Sequence, residues 1–293
     1  MKIFCCSIFL FYGLLSSASF AQTVPLKKTA SEIQESYVYF LVLGDANESA
    51  LSANSKKKIE LPQGYAAKNK VMFDSLFRIF EKYWTFSEAK PVVIESAAHK
   101  GLLGTKGTPY FYFYLLRYGD PEKSPYLFYL AKSDEKDVRL TIWGFNHCCV
   151  EAHLILMVKS IQRQLEKVSM GISDASYDAQ VRKAYNTLKH KTLLIPKEEI
   201  DKGISKEDIA KVYPWPFELT DLNGLAKAVA DENPDYAVLL NRFSVAVNGT
   251  YYTTPGIFDA ANGMEIWYPP VKVNATMDLV KLKDFAKMTK WGE

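Results

Sequence analysis

The stretch Asn146-His147-Cys148-Cys149-Val150-Glu151-Ala152-His153 opens the segment on which the predicted fold depends. From Cys148 to about Met170, apolar residues recur at three- and four-residue spacing, which predicts a helix with one buried face. The stripe consists of Val150, Leu154, Met157, Val158, Ile161, Leu165 and Val168. Because the first turns are apolar nearly all round, we expect the N-terminal half of the helix to lie inside the molecule. We expect the C-terminal half to lie on the surface, with Lys159, Gln162, Arg163, Glu166 and Lys167.

The N-terminus has the three parts of a secretory signal peptide. Lys2 precedes the apolar run from Ile3 to Leu15, and Ser-Ser-Ala-Ser-Phe-Ala follows at 16–21. We predict cleavage after Ala21, so that residues 1–21 are the signal peptide. The apolar run is shorter than the roughly 20 residues that a membrane-spanning helix needs. We therefore expect a mature chain without an integral membrane segment, located in the periplasm or, as second choice, outside the cell.

Composition and motifs exclude several classes of function. Hydrophobic residues make up 48% of the chain, enough for a sizeable core, and the formal net charge is only +3. This charge argues against a nucleic acid partner. The phosphate- and dinucleotide-binding patterns of glycines do not occur, so we expect no cofactor. Neither a Gly-x-Ser-x-Gly elbow nor a His-Glu-x-x-His motif occurs, and catalytic residues stay unassigned.

The predicted elements follow a similar order on each side of the long helix. Residues 22–35 are polar and mixed, and we interpret them as a loosely held lead-in. In the first half, a strand at 37–43, an amphipathic helix at 66–83 and a strand at 91–95 precede an antiparallel meander at 110–118, 126–132 and 138–145. In the second half, a strand at 192–195, helices at 206–212 and 222–230 and a strand at 217–219 precede a meander at 236–247, 251–258 and 265–268, and a helix at 277–290 closes the chain.

Local signals support the second half of this interpretation. Asn248-Gly249 and Asn262-Gly263 are typical of two-residue hairpin turns. Ser205-Lys206-Glu207-Asp208 is close to a capping box, with Asp at the third helical position. We predict a mixed α/β fold of two related halves, each a mainly antiparallel sheet covered by helices, around the central helix. The first half spans residues 22–170, a linker spans 171–178, and the second half spans 179–293.

The densest group of possible metal ligands lies at the start of the central helix. At about 100° per residue, at most two of its side chains converge from this helix alone. Zinc needs three or four ligands. We therefore interpret the group as structural and predict no metal site, with metal binding and redox chemistry as alternatives. The group consists of His147, Cys148, Cys149, Glu151 and His153.

The first meander strand invites a binding hypothesis. Tyr110, Tyr112 and Tyr114 alternate with apolar residues, so one face of the strand carries tyrosines. Tyrosine tolerates partial exposure because its ring is apolar and its hydroxyl is polar. These three residues are our candidate contacts for a glycan or a protein partner. The alternative is that the tyrosines are covered by a helix or loop of the same chain.

Two similar stretches carry a resemblance to other proteins. With the signal peptide, Lys82-Tyr83-Trp84-Thr85-Phe86-Ser87 and Lys211-Val212-Tyr213-Pro214-Trp215-Pro216-Phe217 resemble uncharacterised secreted proteins of Bacteroidota-type bacteria. The resemblance implies an envelope location and no particular activity. We predict a non-enzymatic binding or scaffold protein of the envelope, whose partner is an envelope protein or glycan. The alternative is a secreted hydrolase whose carboxylates or histidines converge only in the fold.

Overall fold

The computed structural model describes residues 27–35, 38–42, 65–87, 92–95, 111–117, 126–132, 138–145, 151–245, 251–267 and 280–291. These ranges contain both helices and strands, which confirms the mixed α/β fold. The helices are α1 (Lys27–Glu35), α2 (Tyr65–Tyr83), α3 (Glu151–Ser169), α4 (Asp174–Tyr185), α5 (Lys206–Val212), α6 (Leu222–Ala230) and α7 (Leu282–Met288), with 3-10 turns at Leu188–His190 and Lys197–Glu199. The strands are β1 (Val38–Val42), β2 (Val92–Glu95), β3 (Phe111–Arg117), β4 (Tyr126–Lys132), β5 (Val138–Phe145), β6 (Thr192–Pro196), β7 (Phe217–Thr220), β8 (Tyr236–Val245), β9 (Tyr251–Asp259) and β10 (Glu265–Trp267).

These strands form one continuous mixed sheet. In the first half, β1 runs parallel between β2 and β3, and β3, β4 and β5 form an antiparallel meander. In the second half, β6 runs parallel between β7 and β8, and β8, β9 and β10 form the second meander. The meanders meet where Gly144 of β5 pairs with Phe243 of β8. The two halves therefore share one sheet.

The parallel strands of the two halves have the same register. Val38 pairs with the first residue of β3, and Thr192 pairs with the first residue of β8. One position later, Tyr39 pairs with the first residue of β2, and Leu193 pairs with the first residue of β7. The two halves thus agree in strand order, strand direction and register. A common origin of the halves by duplication stays a prediction.

Helix α3 is central to the packing. It contacts α1 and α2 from the first half and α6 from the second. The predicted stripe from Leu154 to Val168 is buried, as expected, and the helix ends at Ser169. The predicted start at residues 148–150 lies outside the described residues. Apolar residues of α1, α2, α3, α6, β1, β6, β8 and β9 form what we call the first core.

The prediction for the polar face of α3 is wrong at Lys159 and Gln162, which are both only 7% exposed. Lys159 Nζ donates to the carbonyl oxygen of Ala261 at 2.8 Å and lies 2.8 Å from a Glu232 carboxylate oxygen. The Gln162 amide donates to the Tyr83 carbonyl oxygen at 2.9 Å and accepts from Phe86 N at 3.1 Å. Both polar groups are buried because the chain provides partners for them.

The opposite face of the second-half sheet carries a second core. Alternate strand residues face opposite sides, so Leu194 and Val238 enter the first core while Leu193 and Ala237 do not. The second core joins α4, α5 and α7 to β6, β8, β9 and β10. Strands buried on both faces explain the near-continuous apolar runs in this part of the sequence.

Two predicted irregular segments are partly helical. Residues 27–35 of the lead-in form α1, whose Ala30 and Ile33 are fully buried in the first core. The predicted linker contains Gly171, which ends α3 at φ 66°, and then the start of α4, capped by Ser173. Helix α1 is only nine residues long and mostly polar, and α4 has weak helical periodicity, so the sequence analysis did not identify them. The capping box at Ser205 is confirmed. Gly263 is left-handed, but Asn262 is not, and residues 260–264 separate β9 from β10, so the predicted two-residue turn is wrong there. Asn248-Gly249 lies outside the described residues.

Candidate functional site

The candidate tyrosines belong to the middle of the first-half sheet. Tyr112 and Tyr114 lie in β3, and Tyr110 lies outside the described residues. Tyr112 pairs with Tyr39 of β1, and Tyr114 pairs with Tyr129 of β4. Because directly paired residues share a face of the sheet, these four tyrosine positions belong to one face, which we call the tyrosine face.

Burial of the neighbouring residues in β1 shows which face of the sheet the helices cover. Val38 is fully buried in the first core, together with residues of α1, α2 and α3. Tyr39, the next residue, points to the other face and is half-buried. The tyrosine face therefore lies opposite the first core.

The structure describes only part of the histidine and cysteine group. His147, Cys148 and Cys149 lie outside the described residues, and Glu151 is exposed. His153 is fully buried. It lies beside two residues that the sequence analysis did not select, Glu199 and Asn241. We call these three residues the buried polar cluster.

Three separate elements supply the buried polar cluster. His153 lies in the first turn of α3, Glu199 ends the 3-10 turn after β6, and Asn241 lies within β8. His153 Nε2 is 3.8 Å from Glu199 Oε1. Asn241 Nδ2 donates to Glu199 Oε2 at 2.6 Å and to the Glu199 carbonyl oxygen at 3.1 Å. All three residues are fully buried, so the cluster ties the central helix to the second-half sheet.

Burial dominates the electrostatics of the cluster. Removal from water raises the pKa of the Glu199 carboxyl to about 7, although the hydrogen bonds from Asn241 favour the ionised form. A buried carboxylate charge is costly when its hydrogen-bond donor is a neutral amide, so the enclosed site favours a carboxyl that keeps its proton. Burial therefore favours the protonated form of Glu199 well above the ordinary pKa range of a glutamate.

The cluster lies at a switch point of the sheet. From β6 the chain passes through α5 to β7 on the side of the second core, and then through α6 to β8 on the side of the first core. Ligands of open α/β sheets bind outside the carboxyl ends of strands at such points. Here Glu199 follows the carboxyl end of β6, and β8 leaves β6 after Val238 to pair with β5. The place is typical of a binding site, but the side chains that fill it are enclosed.

Glu199 also holds the C-terminal part of the chain. Its carbonyl oxygen accepts from Val280 N at 2.9 Å, and Asp201 N donates to the Val280 carbonyl oxygen at 3.1 Å. Ile200 and Val280 form a parallel bridge between these two bonds. The turn after β6 is thus connected to α3, to β8 and to the segment that leads into α7.

The sequence offered one usable signal for this cluster. Pro196-Lys197-Glu198-Glu199 directly follows a strand that was predicted correctly, and polar residues at the carboxyl ends of parallel strands are candidates for function. The sequence could not show which carboxylate turns inward. In the structure, Glu198 is exposed and Glu199 is enclosed.

A search of the described residues finds no group of three or more His, Cys, Asp or Glu side chains that could hold a metal ion. Across the same residues, each helix is too short or too polar to cross a membrane. In comparisons with known proteins, no family model, no curated protein and no solved structure matches the chain.

Proposed function

We propose that the chain is a binding or scaffold protein of the bacterial envelope, located in the periplasm or outside the cell, and that it works without catalysis. The observation that carries the proposal is the register that aligns Tyr39, Tyr112, Tyr114 and Tyr129 opposite the first core. Tyrosines offer a broad contact area and lose little rotamer entropy on binding. An envelope protein or a glycan is the partner that such a surface suits.

Access to the tyrosine face is the first test. We expect tetranitromethane to nitrate Tyr112 or Tyr114 in the folded mature chain, residues 22–293, and mass spectrometry of peptides would locate the nitro groups. Fully buried Tyr213 is the internal control and should react only after unfolding. If Tyr112 and Tyr114 react no faster than Tyr213, the chain itself covers this face and the proposal is wrong.

Binding is the second test. The Tyr112→Ala variant should recover at least about tenfold less of a specific envelope protein or immobilised envelope glycan than the wild type, because an aromatic contact is lost. Tyr112→Phe keeps the ring and should bind nearly as well. Tyr177→Ala, on half-buried Tyr177 of α4, is the control for a tyrosine truncation elsewhere. Equal recovery by all variants would remove Tyr112 from the site.

The proximity of His153 and Glu199 favours a second candidate function. A carboxylate beside an imidazole is part of many hydrolytic sites, and the two residues converge only in the fold. This supports a secreted hydrolase as the alternative. Turnover of nitrophenyl esters or glycosides by the wild type, lost in His153→Gln with unchanged circular dichroism, would favour the hydrolase over the binding protein.

A further inference from the structure

The groups around the carboxyl and the backbone carbonyl of Glu199 come from four parts of the chain. From α3 comes His153, the only basic side chain within salt-bridge distance among the described residues. From β8 comes the neutral amide of Asn241, and from the C-terminal segment comes the backbone N–H of Val280, which bonds the carbonyl oxygen of Glu199. Glu198, on the same turn, is exposed and adds a nearby negative charge.

Two titratable groups enclosed together limit the charge states that the folded protein can hold. Burial favours the neutral acid form of Glu199, whose Oε1 lies 3.8 Å from His153 Nε2. When Glu199 loses its proton, the carboxylate stays buried, and the neutral amide of Asn241 donates the one hydrogen bond to it that the described residues show. An unpaired buried charge is costly, so the surrounding structure is expected to open toward water.

We propose that the buried polar cluster is a proton-operated latch, which holds the segment at Val280 against the turn after β6 when Glu199 carries a proton and weakens when that proton is lost. The segment at Val280 is the part that responds because Glu199 holds it directly. Its two backbone hydrogen bonds join Val280 to the main chain of Glu199 and of Asp201. The central helix and β8 are held by the larger first core as well.

The direction of the pH effect follows from the pKa of Glu199. Burial raises this pKa to about 7, from an ordinary value of 4.5. The folded protein therefore keeps a proton that the unfolded chain has already released, so folding is favoured below about pH 4.5 and this contribution is lost as pH rises through about 7. The latch is closed in mildly acidic medium and weakened in alkaline medium.

Amide hydrogen exchange tests the latch at two named positions. In the wild type, we expect the protection factors of the Val280 and Asp201 amides to fall by about tenfold between pH 6 and pH 8.5, because pH 6 lies only about one pH unit below the raised pKa of Glu199. Glu199→Gln keeps the size and one acceptor of the side chain but cannot ionise, so its protection factors should change less than about twofold. Glu198→Gln removes a neighbouring exposed charge and should behave like the wild type.

Equal pH dependence in the wild type and Glu199→Gln would overturn the proposal. If Glu199→Gln does not fold, infrared spectroscopy of the wild type with isotopically labelled glutamate replaces it. A protonated carboxyl band that disappears between pH 6 and pH 8.5 supports the latch, because exposed glutamates have already ionised in this range. Absence of that band at pH 6 would show that Glu199 is ionised throughout and overturns the proposal.

Discussion

In each half of the molecule, one strand runs parallel between two others, and a helix connects it to the outer one. Helix α2 connects β1 to β2, and α5 connects β6 to β7. Each helix is followed directly by a fully buried aromatic residue, Trp84 after α2 and Tyr213 after α5. The backbone N–H of each donates to a carbonyl oxygen of the helix at 2.8 Å. Each helix also packs against the helix after its own meander, α2 against α3 and α5 against α7. The two helix pairs nevertheless lie in different cores, on opposite sides of the shared sheet.

The difference between the halves concerns the cover of the sheet. In the second half, residues 221–235 connect β7 to β8 and contain α6, which supplies Leu225, Ala228 and Val229 to the first core. In the first half, the corresponding residues 96–110 lie outside the described residues. They are equal in number, and their sequence has Gly101, Gly104 and Gly107, a pattern that predicts a loop. The tyrosine face is the face that a counterpart of α6 would cover, which is why access to Tyr112 decides the proposed function.

The largest predicted effect is the loss of stability on truncation of Trp84 or Tyr213, which occupy equivalent positions in the two halves. We expect Trp84→Ala and Tyr213→Ala each to lower the free energy of unfolding by about 3–5 kcal/mol, because each leaves a large cavity in a packed aromatic group. Trp84 stacks on Phe80 at 5.6 Å, and Tyr213 contacts Trp215 and Phe285 edge-on. Urea unfolding followed by circular dichroism measures both effects.

The same experiment tests whether the halves unfold together. The first core contains residues of both halves, so both variants should unfold in a single transition. Met170→Ala is the control, since Met170 is 70% exposed and its loss should change stability by less than about 0.5 kcal/mol. Two separate transitions in Tyr213→Ala would show that the second half unfolds alone and would contradict the shared core.

The sequence predicts those elements of the two halves that have strong periodic or capping signals. The strands of both meanders, α5, α6 and the buried stripe of α3 follow from alternation, capping residues and helical spacing. The sequence missed α1 and most of α4, because only a few residues of each, such as Ile33 and Tyr185, are buried. It also missed that the meanders join into one sheet, since pairing of β5 with β8 depends on distant contacts.

A second prediction concerns the turns that follow α2 and α5, because the two halves satisfy the backbone groups of these turns in different ways. In the first half, buried Gln162 bonds the backbone at Tyr83, Thr85 and Phe86. In the second half, the position two residues after the helix is Pro214, which has no N–H to satisfy. We expect Gln162→Ala to lower the free energy of unfolding by about 2–3 kcal/mol, because the buried Phe86 N–H and two partly buried backbone groups lose their partner.

Gln164→Ala is the matched control for this change, because Gln164 lies on the same helix and is only half-buried. It should cost less than about 1 kcal/mol. Thermal unfolding of the two variants gives the comparison. A loss in Gln162→Ala no greater than that in Gln164→Ala would show that the turn closes without the amide, as it does in the second half.

The candidate site was less predictable than the fold. The tyrosine face follows from alternation within one strand, and the structure adds Tyr39 and Tyr129 to it through strand pairing. The buried polar cluster could not be predicted, because His153, Glu199 and Asn241 come from separate elements. Burial of a glutamate depends on the enclosing chain, and no local pattern records it.

The smallest predicted effect concerns the length of the connecting helices. Helix α5 has seven residues whereas α2 has nineteen, and short helices depend more on their caps. Ser205 accepts from Asp208 N at 3.1 Å, and its own N–H and hydroxyl donate to the Asp208 carboxylate. We expect Ser205→Ala to lower the free energy of unfolding by about 1 kcal/mol at neutral pH.

Acid should reduce this effect. The hydrogen bond from the Ser205 side chain, aided by Lys211, lowers the pKa of Asp208 to about 2. A lowered pKa stabilises the fold above the ordinary value near 3.8, and this stabilisation is lost as pH falls through about 2. The difference in unfolding free energy between wild type and Ser205→Ala should therefore be full at pH 6 and smaller at pH 2.

Ser173→Ala is the control for this pH dependence. It removes the cap of α4, where Ser176 stands at the position that Asp208 has in α5, so the stability lost in this variant should not depend on the protonation of a capping carboxyl. Urea unfolding at pH 6 and pH 2 measures the stability difference between the wild type and each variant. If acid reduces this difference equally for both variants, the acid effect belongs to the protein as a whole and not to the capping box.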